Sequence, residues 1–289
     1  MSSLFQPFTP DRNEPPRRRF RPVPLRLLIP NLITLLALCA GLTAIRMALE
    51  GKMDVAVYLI LLAAILDSMD GRIARLLKGT SKFGAELDSL ADFVSFGAVP
   101  ALVLYLWGMN QAGPFGWIAV LVFSICGALR LARFNVQIDD PNKPAWMANY
   151  FTGVPIPAGA ILLMLPIYLE RSGLPNVLSP PLVTTIYTIV IALLMVSKVP
   201  VFSGKKLGAR VPRESVLPLF VAAIAFVALL VSYPWEVLAI GTIAYLVSLP
   251  VVGMNARRWG EAADAKAVVE KAPASTADGD PPLNPPASG

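Results

Sequence analysis

The 289-residue chain contains no histidine, and only 15% of its residues are charged, against about a quarter in ordinary soluble domains. Without imidazole there is no histidine general base, no histidine-ligated metal and no Ser-His-Asp triad, so such chemistry falls to carboxylates. Cysteine is nearly absent as well: Cys39 and Cys126 both lie inside apolar runs, where a small hydrophobic packing role outweighs a metal or redox role. The first apolar run lacks a small-residue cleavage site and is followed by others, so it reads as a first membrane span and not as a removed signal peptide.

Apolar residues are abundant, at 55% of the chain. They recur in stretches long enough to cross about 30 Å of hydrocarbon, where each segment must be helical to satisfy its own backbone groups. The expectation is an all-α, polytopic transmembrane bundle of about eight spans, near 30–49, 53–77, 84–108, 114–134, 153–169, 182–202, 215–233 and 235–255. Residues 1–24 read as a basic, Pro-rich cytoplasmic arm with Arg17, Arg18, Arg19 and Arg21, residues 25–258 as the transmembrane domain, and 259–289 as a disordered cytoplasmic tail. With eight spans, all 25 lysines and arginines except Arg46, Lys52 and Arg171 fall on one side, which the positive-inside rule assigns to the cytoplasm. The net charge of +6 then reflects topology and anionic lipid at the inner (cytoplasmic) cell membrane, and not a nucleic-acid partner.

The informative segment runs from Leu66 to Asp92. Asp67 and Asp70 are three residues apart and Asp88 and Asp92 four, so on helices each pair shares a face. A chain reversal between Arg75 and Gly84 would let the two pairs converge. Carboxylates in spans cost about 2.5 to 3.5 kcal/mol each on insertion scales and repel one another, so a cation belongs between them. Hard divalent ions, Mg²⁺ or Mn²⁺, take such oxygen ligands, and a two-ion site fits the set. Gly71 leaves room for a nucleotide, and Arg75 supplies a cation for phosphate. Two other readings remain open on spacing alone: interfacial ion pairs with Arg72, Arg75, Lys78 and Lys82, and a cation-coupled transporter.

The pattern D-x-x-D-G-x-x-A-R, eight residues, G-x-x-x-D-x-x-x-D, formed by Asp67, Asp70, Gly71, Ala74, Arg75, Gly84, Asp88 and Asp92, resembles the signature of the CDP-alcohol phosphotransferase family. The resemblance implies that Asp67, Asp70 and Asp88 ligate two metal ions. Asp92 would share in that ligation and act as the catalytic base, and CMP would leave. It also implies that the CDP-lipid is held by Asn31, Thr34, Gly71, Ala74, Arg75, Ser81 and Gly84, and that the enzyme is a homodimer.

Pro30–Thr34 with Gly41, Leu129–Asn135, Phe151–Pro157 and Ser197–Phe202 with Lys205 resemble the phosphatidylserine synthase branch of that family. That likeness implies CDP-diacylglycerol and L-serine as substrates. Serine carries a carboxylate, for which Arg130 and Arg133 are the candidate partners, because guanidinium grips carboxylates bidentately. Both arginines could equally be positive-inside anchors. Glycerol phosphate, inositol phosphate and choline are the alternative acceptors.

Overall fold

A computed structural model describes residues 25–77, 81–138, 150–174, 177–197, 200–202 and 213–250. The arm 1–24, the tail 259–289, Lys78 and Lys205 lie outside the described residues.

Helix α1 (Leu25–Leu49) turns through Glu50–Lys52 into α2 (Met53–Leu76), with Gly51 supplying the left-handed residue at φ 76°. The two helices form the most extensive pair in the fold. Small residues make this possible: Ala37, Ala40, Ala44 and Ala48 recur at helical spacing on the buried face of α1, and Ala56 and Ala63 are buried on α2. In lipid, where helices gain little from burying apolar surface, such close backbone approach is the main source of association.

Helix α3 (Lys82–Trp107) begins at Ser81, whose Oγ caps it by accepting from the Gly84 amide at 3.0 Å. A π-helical turn at Phe93–Ala98 interrupts it directly after Asp92. A short 3₁₀ turn at Met109–Ala112 leads into α4 (Pro114–Ile138).

Residues 156–171 form two helices, α5 (Ile156–Leu163) and α6 (Leu165–Arg171), in place of the single expected span at 153–169. The break falls at Met164, where Pro166 lacks the N–H that a continuous helix would direct to Leu162. Helix α7 (Pro181–Val196) stops short of the expected 202, and Pro200–Phe202 (β2) instead pairs antiparallel with Tyr150–Thr152 (β1). The helical bundle therefore carries one small β-ribbon. Helices α8 (Arg213–Ser232) and α9 (Pro234–Pro250) complete the described chain.

Among the described residues, four helices are long and apolar enough to cross a bilayer: Leu28–Leu49, Lys82–Trp107, Pro114–Val136 and Ser215–Ser232. The 24-residue α2 carries Asp54, Asp67, Asp70, Arg72 and Arg75, while α7 and α9 are apolar but shorter. Large apolar side chains such as Leu32, Leu36, Ile125 and Leu193 point outward. Inside, Thr184, Thr185 and Thr188 each donate to the carbonyl four residues back, so their buried hydroxyls remain satisfied.

One backbone crossing ties the loop before α5 to the end of α7. Gly153 sits at φ 80°, and a Cβ there would lie 2.4 Å from the Met195 carbonyl oxygen and 2.8 Å from that of Ser197. Arg133 of α4 reaches the same place, donating from Nη1 to Val196 O at 2.9 Å and from Nη2 to Ser197 O at 3.3 Å. It thereby satisfies carbonyls that the end of a helix leaves open. Gly153→Ala is expected to cost at least about 1–3 kcal/mol from the left-handed backbone alone, with the carbonyl clash added. Thermal unfolding in detergent should show a Tm lower by at least about 3 °C, and an unchanged Tm would contradict this account.

Candidate active site

The last two turns of α2 and the first three of α3 meet across residues 77–81, so the two aspartate pairs face each other as their spacing predicts. Ligand oxygens from Asp67, Asp70 and Asp88 all lie within 4.8 Å of one another. Asp92 stands outside that trio, one turn further along α3, with its carboxyl in hydrogen-bonding reach of Asp67.

Asp70 is the most enclosed of the four, at 4% exposure. Thr34 of α1 donates to its Oδ2 at 2.7 Å and also lies 3.1 Å from the Pro30 carbonyl, so a single hydroxyl proton is shared between two acceptors. Among the described residues, Asp67, Asp70 and Asp88 form no ion pair with lysine or arginine. Arg75 instead bonds its own helix, from Nε to Gly71 O at 3.0 Å. The ion pairs found lie at the other end of α2: Arg171–Asp54 at 2.6 Å, and Arg46 and Lys52 on Glu50. That pattern disfavours interfacial ion pairing as the reason for the acidic cluster. Three inward carboxylates without a counter-cation have the donor chemistry of a hard divalent ion site.

A cavity of about 630 Å³ opens beside these acids. Asn31, Thr34, Gly71, Ala74, Arg75, Ser81 and Gly84 all line it, with Asp70 and Asp88 forming its acidic side. Two glycines serve it in different ways. A Cβ at Gly84 would come within 2.8 Å of Asn31 Oδ1 and 3.1 Å of Ser81 Oγ, so a side chain there would displace two of the polar groups that line the cavity. At Gly71 a Cβ would meet nothing within 4 Å, so the surface is left open to a ligand. The cavity also abuts the N-terminus of α3, the end of the helix whose dipole favours an anion. Pro30 and Ala85 complete the lining, and neither is marked by the aspartate pattern. Their positions beside Asn31 and Gly84 in the chain are the signal that could have found them.

The two arginines proposed for the acceptor separate. Arg133 is engaged by the carbonyls at the end of α7. Arg130 is 7% exposed, lies with its guanidinium 5.4 Å over the Phe134 ring, interacts electrostatically with Asp92, and has no hydrogen-bond partner at Nε. Another link escapes the sequence pattern: Asn135 Nδ2 donates to Ser89 Oγ at 3.0 Å, fastening α4 to α3 between Asp88 and Asp92.

A family model described as CDP-alcohol phosphatidyltransferase matches residues 27–197, and a second, CDP-alcohol phosphatidyltransferase 2, matches 214–250. The CDP-diacylglycerol--serine O-phosphatidyltransferase of Mycobacterium leprae is 40% identical over 245 residues, covering 84% of this chain and 79% of its own. The protein of the same name from Helicobacter pylori strain 26695 is 33% identical over 220 residues, or 76% of this chain and 88% of its own. That of Methanocaldococcus jannaschii is 38% identical over 181 residues, 62% of this chain and 77% of its own. With the signature aspartates gathered at one cavity and the first family model spanning more than half of the sequence, the chain belongs to the CDP-alcohol phosphatidyltransferase family.

Proposed function

We propose that this protein transfers the phosphatidyl group of CDP-diacylglycerol to the hydroxyl of L-serine and releases CMP. The observation that carries the transfer is the trio Asp67, Asp70 and Asp88, held within 4.8 Å beside a cavity of about 630 Å³. Serine as the acceptor is supported by the relatives named for that reaction, at up to 40% identity, and by the buried Arg130, which interacts electrostatically with Asp92.

In this reading Asp67, Asp70 and Asp88 hold two Mg²⁺ or Mn²⁺ ions, with Asp92 contributing through its place beside Asp67. Bound there, the ions would neutralise the pyrophosphate and stabilise the attacking and leaving oxygens of an in-line displacement. The nucleotide occupies the cavity, where Gly71 leaves space, Arg75 meets phosphate, and Asn31, Ser81 and the start of α3 offer polar contacts. Asp92 accepts the proton of the serine hydroxyl as its oxygen bonds to the lipid-side phosphorus and the bond to CMP breaks. Arg130 takes the serine carboxylate, while Arg133 secures the wall behind it. Arg72, Arg75 and Lys82 flank the acids on α2 and α3, and the buried Arg130 interacts with Asp92, a concentration of positive charge that supports a cytoplasmic active site. The reading includes an eight-span homodimer of the inner membrane.

Asp67→Asn, Asp70→Asn or Asp88→Asn should each weaken divalent-ion affinity and lower CMP release at least about 10-fold, the minimum cost of losing a metal-site partner. A chelator should abolish release, and full turnover in excess chelator would sink the metal reading. Asp92→Asn should still bind CDP-diacylglycerol in an equilibrium assay while CMP release falls by roughly 10² to 10⁴. Near-normal turnover by that variant would remove Asp92 from the base role. CMP release by the wild type across serine, glycerol phosphate, inositol phosphate, choline and ethanolamine tests the acceptor. Serine should be fastest at equal concentration, and a faster phosphorylated alcohol would refute the serine assignment but not the phosphatidyl transfer.

A further inference from the structure

Helix α9 turns a defined face to the bundle. Trp235 at its start stacks on Tyr58 of α2 with ring centroids 5.1 Å apart, and lies 6.4 Å from the Tyr168 ring. From there Leu238, Thr242, Tyr245 and Leu249 succeed one another at offsets of four, three and four, the spacing of one helical stripe. Leu249 and Thr242 are buried and the other two partly so.

Two members of that stripe are polar, and Thr242 behaves unlike other threonines in these helices. Thr34, Thr43, Thr184, Thr185 and Thr188 each direct their hydroxyl to the carbonyl four residues back. Thr242 is 3% exposed, yet its Oγ1 has no partner. Its own helix offers the carbonyl of Leu238, and the hydroxyl does not take it. One turn further along, Tyr245 interacts electrostatically with Arg130 of α4, the guanidinium that also interacts with Asp92 and whose Nε is unpartnered. Buried polar groups without partners are unfavourable, the more so in a membrane bundle. An orphaned hydroxyl on α9 and an orphaned guanidinium Nε on α4, whose charge acts on both Tyr245 and Asp92, are accounted for together by a small polar ligand between the two helices.

We propose that the face of α9 bearing Thr242 and Tyr245 forms the wall of the acceptor subsite opposite Arg130 and selects a small zwitterionic alcohol. The Tyr245 hydroxyl donates to the carboxylate that Arg130 grips, and the Thr242 hydroxyl accepts from the ammonium. Neither residue belongs to the aspartate signature, and this assignment rests on the serine reading above.

The test uses the full-length enzyme in mixed micelles with CDP-diacylglycerol, comparing the wild type with Tyr245→Phe and Thr242→Val. Tyr245→Phe removes one hydrogen bond to a charged group, so the KM for serine should rise roughly ten- to hundredfold, with a smaller rise in Thr242→Val. The KM for CDP-diacylglycerol should stay at its wild-type value in both. Preference for serine over ethanolamine, which lacks the carboxylate, should narrow in Tyr245→Phe, a change that loss of packing alone would not produce. Should Tyr245→Phe not be recovered folded, the nearly isosteric Thr242→Val decides by its serine KM. If Thr242→Val gains thermal stability and keeps the wild-type serine KM, its hydroxyl meets no ligand and the proposal falls. Unchanged serine KM and selectivity in Tyr245→Phe overturn it equally. A wild type that prefers another alcohol defeats the serine reading and this assignment together, whereas a serine-using wild type with indifferent variants defeats only this one.

Discussion

Concentrating negative charge inside an apolar bundle is the constraint around which this structure is organised. Asp67, Asp70 and Asp88 lie within one small volume, and no lysine or arginine among the described residues pairs with them. Such a cluster suits a hard cation of another kind, as the proposed metal site would supply, and the fold provides a frame that holds the carboxylates together. The alanine-rich seam between α1 and α2 is part of that frame, because it brings Thr34 close enough to bond Asp70. The Ser81 cap and the Asn135–Ser89 bond set the position of α3 on the other side. Each of these contacts is modest alone, but together they fix where the acids point.

Stability and function draw on separate ends of the bundle. The end of α2 carrying Asp54 is closed by ion pairs and by the Tyr58, Trp235 and Tyr168 rings. The opposite end stays open, with Gly71 bare and a cavity leading to the carboxylates. Closure at one end holds the start of α9 through Trp235, while further along the same helix Tyr245 feels the charge of Arg130.

Much of the site could be read before any coordinates because its residues are local in sequence and their geometry comes from helical periodicity. Spacings of three and four place each aspartate pair on one face, and a short reversal brings the faces together. The lining residues of the cavity other than Pro30 and Ala85 were likewise legible from the family pattern. What could not be read depends on contacts between distant segments. Nothing about Arg130 and Arg133, three residues apart, distinguishes an arginine with an open guanidinium edge from one that caps the end of α7; the difference lies in where Val196 and Ser197 arrive. The division of the fifth span at Met164 was signalled by Pro166, but proline also permits a kinked, continuous helix, and only packing decides between them. The stripe on α9 was hidden because a threonine and a tyrosine in an apolar helix are usually satisfied locally or at an interface.

The π-helical turn directly after Asp92 makes α3 two devices joined in series. A π turn accommodates one residue more than an α turn, so it resets the rotational phase of the downstream half of the helix by about 100°. Before it, Asp88 and Asp92 face Asp67 and Asp70; after it, Val99, Val103 and Leu104 are aimed at the core. An unbroken α-helix would tie those two aims together, so that any adjustment of the packing half would turn the acids away from their target. The extra residue sets a fixed offset between the two halves, so one continuous helix presents its carboxylates to the cluster and its apolar side chains to the core.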